Sequence, residues 1–167
     1  MIRLGCLGIG LALVLSPIGE VSAASWSRLI DPGGEFVIDV PTPSFRQEVS
    51  DKASHKTFIE VDGAAIIDVY AGRNLKRMVP TAFIQELSHA PRIEDITYAA
   101  QGRSWFAISG HCVREGAGQG ALIYYAKFVF TADLTRFAAF EISYPATEKR
   151  AMDPVVTHLE KSLRLTR

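Results

Sequence analysis

The chain has 167 residues, and its 18 lysines and arginines balance 18 aspartates and glutamates, so the formal net charge is zero. A neutral chain has no electrostatic reason to bind nucleic acid or an acidic membrane surface. With 48% hydrophobic and 22% charged residues, the composition is that of a folded globular protein and excludes intrinsic disorder.

The first predicted element is an export signal. Arg3 precedes an almost unbroken apolar run over residues 4–18, and Val21-Ser22-Ala23 places small residues where a signal peptidase cleaves. The run is too short to span a bilayer comfortably, and no stop-transfer pattern follows it. We therefore expect residues 1–23 to be a signal peptide cleaved near Ala23. Residues 24–167 are expected to form a single periplasmic or secreted domain without a transmembrane anchor.

Four strands are predicted in the first half of the mature chain. The turn Asp31-Pro32-Gly33-Gly34 separates a strand over residues 26–30 from one over 35–40. Pro41 and Pro43 are expected to end the second strand and begin an irregular segment through Ser54. Strands over 56–61 and 64–71 flank Asp62-Gly63, a strong hairpin signal.

A helix is predicted to follow, with Pro80 as its first residue, where a missing backbone donor does no harm. Phe83, Ile84 and Leu87 share one helical face. Pro91 should end the helix by disfavouring helical geometry at Ala90.

Four more strands are predicted over residues 95–101, 104–113, 121–130 and 136–144. Residues 122–130 are apolar at nearly every position except Lys127, which indicates a strand covered on both faces. In the last strand the more apolar face consists of Ala138, Phe140, Ile142 and Tyr144.

A C-terminal helix is predicted after Pro145, with an apolar stripe formed by Met152, Val155, Val156, Leu159 and Leu163. Two starts are open. Thr147 caps the helix and Pro154 kinks it, or Asp153 caps it and Pro154 is the first helical residue. We favour the second for the main helix. Short turns between consecutive strands and two striped helices together predict an α+β fold, an α/β/α sandwich around a mainly antiparallel sheet.

Several stretches resemble a known group of proteins. They are the segment 34–41 (GEFVIDVP), Asp62-Gly63, the segment 104–110 (SWFAISG) with Ile123-Tyr124-Tyr125, and the segment 140–145 (FEISYP) leading into residues 153–156. Together they are similar to small exported bacterial proteins whose fold is that of the photosystem-associated PsbP proteins, the Ran-binding Mog1 protein and the DcrB lipoproteins. The resemblance covers nearly all of the mature chain. It implies a PsbP/Mog1-like α/β/α sandwich that acts as a binding or assembly module without catalysis.

The resemblance carries over no functional residue, because no position matches the metal or photosystem-docking residues of PsbP. The chain also lacks a cysteine at the predicted cleavage site of the kind that is lipidated in DcrB. This difference favours a form without a lipid anchor.

Cys112 is the one cysteine outside the predicted signal peptide, since Cys6 lies within it. A thiolate nucleophile needs a nearby base, but His111 should point to the opposite face of the strand. His55, His89 or His158 would have to reach Cys112 through the fold. The alternative is a buried structural cysteine, which we favour.

No metal or cofactor site is predicted. The four histidines are scattered, no Cys-x-x-Cys occurs, and acids such as Asp62, Asp68, Glu94 and Asp95 are isolated. The loop over residues 116–120 is rich in glycine but lacks the Lys-Ser/Thr of a phosphate-binding loop, so we interpret it as a hairpin connection.

Two groups of residues are weak candidates for contacts with a ligand or partner. Arg73, Lys76 and Arg77 form a small basic cluster that either receives an anionic group or is a solvated loop. Trp105 and Tyr124 belong to an aromatic-rich middle section, in which strand alternation turns one residue of each adjacent pair towards a groove or the core.

The function predicted from the sequence is that of an exported, non-catalytic binding or assembly module of the bacterial cell envelope. Its target is another envelope protein or a small ligand held in a cleft between sheet and helix. The alternative is an envelope enzyme that uses Cys112 as a thiol nucleophile.

Overall fold

The computed structural model describes residues 25–49, 54–113 and 121–166. The predicted signal peptide over residues 1–23, the glycine-rich loop over 116–120 and part of the predicted irregular segment lie outside the described residues. The strands are Ser25–Ile30 (β1), Phe36–Thr42 (β2), Phe45–Gln47 (β3), His55–Glu60 (β4), Ile66–Arg73 (β5), Ile93–Gln101 (β6), Trp105–Cys112 (β7), Leu122–Phe130 (β8), Arg136–Pro145 (β9) and Arg164–Leu165 (β10); the helices are Pro80–Ser88 (α1) and Lys149–Ser162 (α2).

The strands of the described residues form two sheets. A seven-stranded sheet has the order β3-β4-β5-β9-β8-β7-β6, and a three-stranded sheet has the order β1-β2-β10. Within each sheet, all pairs of neighbouring strands are antiparallel. The predicted α+β fold and mainly antiparallel pairing are confirmed, whereas the expectation of one sheet is corrected to two.

The large sheet has a hydrophobic core on each face. On one face α1 contributes Phe83, Ile84 and Leu87, which pack against Phe106, Phe128 and their neighbours. On the other face Met152, Val156 and Leu159 of α2 pack against Phe140 and Ile142 of β9, together with the inner residues of β2. The predicted sandwich is therefore present, and its second outer layer contains the small sheet as well as α2.

The β8 strand is covered on both faces, as predicted. Its residues alternate between buried and intermediate along the whole strand. Tyr124, Ala126 and Phe128 belong to the core under α1, while Ile123, Tyr125 and Val129 pack on the core under α2. The β8 strand thus has few polar side chains because one of its faces is buried and the other is partly buried.

The predicted turns and the first helix agree with the structure. The Asp62-Gly63 segment joins β4 to β5 in an antiparallel hairpin. Pro80 is the first residue of α1, which has no side-chain cap. The helix ends at Ser88, ahead of Pro91, because the residue before a proline is driven out of helical geometry.

The predicted irregular segment after Pro41 is wrong for residues 41–42 and 45–47, which lie in strands. The β2 strand continues to Thr42 and a short strand, β3, pairs with β4. The β10 strand pairs only with Phe36 and Val37 of β2, so Pro41 lies where β2 has a strand on one side only. A sheet tolerates proline at such a position because no ladder hydrogen bond is lost on the open side.

The favoured start of the C-terminal helix is also wrong. A 3₁₀ turn, Ala146–Glu148, leads directly into α2, and Pro154 lies inside the helix. Neither Thr147 nor Asp153 is the cap: the N-cap is Glu148, without a side-chain cap hydrogen bond. The first turns form despite Pro154 because Met152 is anchored in the core and Lys149 pairs with Asp153 at 2.8 Å.

Substitution of Phe140 tests the assignment of the faces of β9. Phe140 has no exposed surface, so Phe140→Asp should cost more than about 4 kcal/mol of unfolding free energy, through the lost aromatic packing and an unpaired buried charge. Phe140→Leu should cost roughly 1 to 2 kcal/mol and stay folded. Urea unfolding followed by circular dichroism measures both, and an unchanged midpoint for Phe140→Asp would contradict the assignment.

Candidate functional site

A cleft opens between α2 and the exposed part of the large sheet, and we call it the α2 cleft. It has a volume of about 760 Å³, within the range of sites for small molecules, roughly 300–1,000 Å³. The residues that give it chemical character are Tyr98 of β6, Ser109 and His111 of β7, Tyr125 of β8, and Asp153 and Glu160 of α2.

The sheet wall of the α2 cleft is shaped by irregularities in the edge strand β6. Pairing between β6 and β7 skips Glu94 and then Thr97, and such bulges redirect neighbouring side chains. Gly110 permits this arrangement, because a Cβ there would lie 2.0 Å from the Asp95 carbonyl oxygen. Any other residue at position 110 would push β6 away from β7.

The redirected Asp95 fixes the orientation of His111. The Asp95 Oδ1 atom accepts the backbone N–H of His111 at 2.8 Å and lies 2.9 Å from its Nδ1. These contacts lower the pKa of Asp95, chiefly through the backbone hydrogen bond. The Asp95 carboxylate is therefore charged at neutral pH and holds the imidazole in place.

The charged groups around the α2 cleft occur in opposite pairs. Lys149 binds Asp153, and the Lys127 Nζ donates to the Glu160 carbonyl at 3.0 Å and lies 3.4 Å from its carboxylate. Burial and the negative charge of Glu160 raise the pKa of Tyr125, so the Tyr125 hydroxyl stays protonated. The cleft consequently offers rings, hydroxyls and paired ions with little net charge.

A second, smaller cavity lies on the opposite face of β7 and β8, and we call it the Glu141 pocket. Its volume is about 140 Å³, and its polar lining includes Asp68, Arg92, Cys112, Tyr124 and Glu141. Glu141 is only 4% exposed. The Tyr70 hydroxyl donates to its Oε1, and the Arg92 Nη1 forms an ion pair with its Oε2 at 2.5 Å.

The groups around Glu141 show the effect of its buried charge. Burial, reinforced by the nearby Glu141 carboxylate, raises the pKa values of Tyr70 and Tyr124. The contact with Glu141 raises the pKa of Arg92. The two tyrosines are therefore neutral hydrogen-bond donors, and Arg92 stays positively charged at every physiological pH.

The sequence did not single out Glu141. The available signal was an acidic residue between Phe140 and Ile142 in a strand whose two faces are both apolar. An acid in such a place is costly unless it is paired, which marks it as a residue with a specific partner.

The structure separates the residues that the sequence proposed as contacts. Tyr124 is 3% exposed and lies in the Glu141 pocket with Cys112, whereas its neighbour Tyr125 faces the α2 cleft. Trp105, 36% exposed, lines a neighbouring groove, where the Lys127 Nζ lies 5.6 Å from its ring centroid.

The basic cluster occupies a different part of the fold. Arg73 ends β5, and Lys76 and Arg77 lie exposed in the loop before α1. The Asn74 side chain holds this loop in a turn by bonding both backbone groups of Met78 at 2.9 Å. None of the three basic residues lines the α2 cleft or the Glu141 pocket, so a ligand role for them stays a prediction.

Each of the four histidines contacts a group other than the thiol. His111 points away from Cys112 towards Asp95, as strand alternation predicted. The other three contacts are His55 with Asp68 at 2.9 Å, His89 with the Gln85 carbonyl at 2.6 Å, and His158 with Asp39 at 3.4 Å. These contacts favour a structural role for Cys112 over a thiol–imidazole pair.

The described residues contain neither a metal-binding cluster nor a membrane-spanning helix. No group of three or more His, Cys, Asp or Glu side chains there is arranged to hold a metal ion. Neither helix in the described part of the chain has the length and hydrophobicity needed to cross a bilayer.

Known structures are similar to this chain in fold. No model of a known protein family matches the sequence, and no curated protein is similar to it in sequence. The Ran-binding protein Mog1p of Saccharomyces cerevisiae superposes with a TM-score of 0.60 at 10% identity, over 86% of this chain and 97% of that chain. Cyanobacterial PsbP from Synechocystis sp. PCC 6803 superposes with a TM-score of 0.60 at 12% identity, over 90% and 98%.

The chain has a PsbP/Mog1-like fold. A third example of similar structure is LpqN, described as involved in cell envelope biogenesis of Mycobacterium tuberculosis, with a TM-score of 0.54 at 12% identity over 86% of this chain and 91% of that chain. At these identities the PsbP/Mog1-like fold is shared, and function does not follow from the fold.

The alternative of a thiol enzyme is tested by labelling Cys112. Because Cys112 is 7% exposed, N-ethylmaleimide should modify the native protein slowly at pH 7 and rapidly in denaturant. Intact mass spectrometry over time, repeated from pH 5 to 9, measures the rate. Fast native labelling with an apparent pKa well below about 8.5 would contradict the structural role and favour a nucleophile.

Proposed function

We propose that this protein is an exported, non-catalytic binding module of the bacterial cell envelope that holds a small ligand in the α2 cleft. The observation that carries the proposal is the cleft itself, about 760 Å³ in volume. It combines exposed aromatic surface with hydroxyl groups and paired ions, a combination suited to recognition. No nucleic-acid partner is proposed, because the chain is neutral overall.

The chemistry of the α2 cleft favours an uncharged ligand that carries hydroxyl groups and a flat apolar face. Lys149 pairs with Asp153 and Lys127 pairs with Glu160, so each of these charges is balanced by its partner, and both pairs present hydrogen-bond donors and acceptors to a ligand. Tyr98 is 53% exposed and offers a ring for stacking, which contributes about 0.5–1.5 kcal/mol. Ser109 and Thr157 add hydroxyl groups on opposite walls.

The cleft proposal predicts the effect of substituting Tyr98. In a fragment screen followed by amide NMR shifts, uncharged cyclic compounds with hydroxyl groups should perturb Ser109, His111 and Thr157. Tyr98→Ala should weaken the binding of such a compound roughly 2- to 10-fold through loss of stacking. Trp105→Ala is the matched control, since Trp105 is also exposed but lines the neighbouring groove. Shifts confined to charged fragments, or equal effects of both variants, would contradict the proposal.

Export predicts a shortened mature chain. When the full gene is expressed in a bacterium, fractionation should place the protein in the periplasm or medium, and its intact mass should correspond to a chain beginning near residue 24. Replacement of the small residues Val21 and Ala23 by arginine should block cleavage. A full-length chain retained in the cytosol would contradict export.

A further inference from the structure

The Glu141 pocket lies on the face of the large sheet opposite the α2 cleft, and the proposed function does not use it. Glu141 projects from the centre of β9 into a region that is otherwise core. A buried carboxylate is less favourable than a well-packed apolar side chain unless its partners compensate for its lost hydration. The fold therefore maintains a negative charge at a place where packing alone would favour a hydrophobic residue.

The hydrogen-bonding capacity of this pocket is incompletely used. Tyr124 is 3% exposed, and its hydroxyl makes no hydrogen bond of good geometry with a described residue, although the Glu141 carboxylate is near enough to raise its pKa. The Oε2 atom of Glu141 contacts Arg92 as an ion pair but without the alignment of a hydrogen bond. Buried polar groups are hydrogen-bonded in most folded proteins, so a buried hydroxyl without a well-formed hydrogen bond is a candidate contact for a ligand.

The charge of the pocket favours a cation. Asp68 and Glu141 both line it, and Arg92 is the cationic side chain in its lining. The Asp68 Oδ1 accepts a hydrogen bond from the Thr57 hydroxyl at 2.7 Å and also contacts the His55 imidazole. The lining of the pocket therefore contains two carboxylates and one guanidinium.

Arg92 is placed to close the pocket without being fixed there. Its side chain is 50% exposed, and it lies in the loop between α1 and β6. Its guanidinium carbon is 5.4 Å from the Tyr124 ring centroid. An arginine in this position covers both the carboxylate and the aromatic face that an incoming ammonium group would contact.

The size of the pocket limits the ligand. Its volume of about 140 Å³ is close to the roughly 150 Å³ of an engineered cavity that binds benzene. A ligand of about six non-hydrogen atoms is therefore the upper limit.

We propose that the Glu141 pocket binds a small organic ammonium compound carrying a hydroxyl group, and that Arg92 occupies the carboxylate when no ligand is bound. The ammonium group pairs with Glu141 and Asp68 and displaces the Arg92 guanidinium. The hydroxyl oxygen of the ligand accepts a hydrogen bond from Tyr124. This site is separate from the α2 cleft, so each of the two proposals stands or fails independently.

The probe for this proposal is ethanolamine, with ethylene glycol as the uncharged compound of the same size. Ethanolamine should shift the amide resonances of Cys112, Tyr124 and Ser143 with a Kd on the order of 1 mM, the strength expected for so few atoms. Ethylene glycol at the same concentration should shift them at least about 10-fold more weakly. Equal responses to both compounds, or none, would overturn the proposal.

Three variants separate ligand binding from a purely structural role. Arg92→Ala should bind ethanolamine several-fold more tightly because it lacks the competing cation, although it should be less stable. Glu141→Gln should lose binding. Tyr124→Phe should weaken the binding of ethanolamine but leave the binding of propylamine, which has no hydroxyl group, unchanged.

The control variant is Arg77→Ala, which removes an exposed cation away from the pocket and should leave the Kd unchanged. Thermal unfolding checks that each variant is folded. If Glu141→Gln does not fold, the proposal is still tested by the difference between the two amines in their binding to Tyr124→Phe. The assigned contacts would be refuted if Arg77→Ala bound ethanolamine as much more tightly as Arg92→Ala does. They would also be refuted if Tyr124→Phe lost affinity for both amines equally.

Discussion

The burial of β8 and β9 on both faces is the constraint on which the rest of the fold depends. The two strands form the wall between two hydrophobic cores, one completed by α1 and the other by α2 with the small sheet. Since each face must be covered, the helices cannot lie on the same side. The two candidate sites lie on opposite faces of this wall, the α2 cleft on the α2 side and the Glu141 pocket on the α1 side.

The constraint also explains which features the sequence could predict. The hairpin at Asp62-Gly63, the start of α1 at Pro80 and the stripe of α2 follow from signals within a few residues. The β10 strand and the division into two sheets depend on partners far apart along the chain, such as Arg164 with Val37. Local patterns contain no information about that pairing. The predicted start of α2 is wrong for a related reason, because packing against the core outweighs the cost of Pro154 inside the helix.

The candidate sites were harder to predict than the fold. A strand that is apolar on both faces gives no alternation by which to decide whether Tyr124 or Tyr125 faces solvent, and Tyr125 is the one that reaches the α2 cleft. The role of Gly110 depends on a bulge in β6 that has no sequence signature. The one charged residue that is buried in β9 did carry a signal, because Glu141 interrupts an apolar run.

The α2 helix is held at both of its ends. The 3₁₀ turn joins it without a loop to β9, and the chain leaves it at Leu163 directly into β10, which is hydrogen-bonded to β2. In its last turn, the Ser162 Oγ accepts the Asp39 backbone N–H at 3.1 Å. Both ends of the helix that forms one wall of the α2 cleft are therefore fixed to the sheets. A ligand that binds beside this helix contacts a rigid surface. Selectivity would then come from complementary shape, with little entropy lost in organising the receptor.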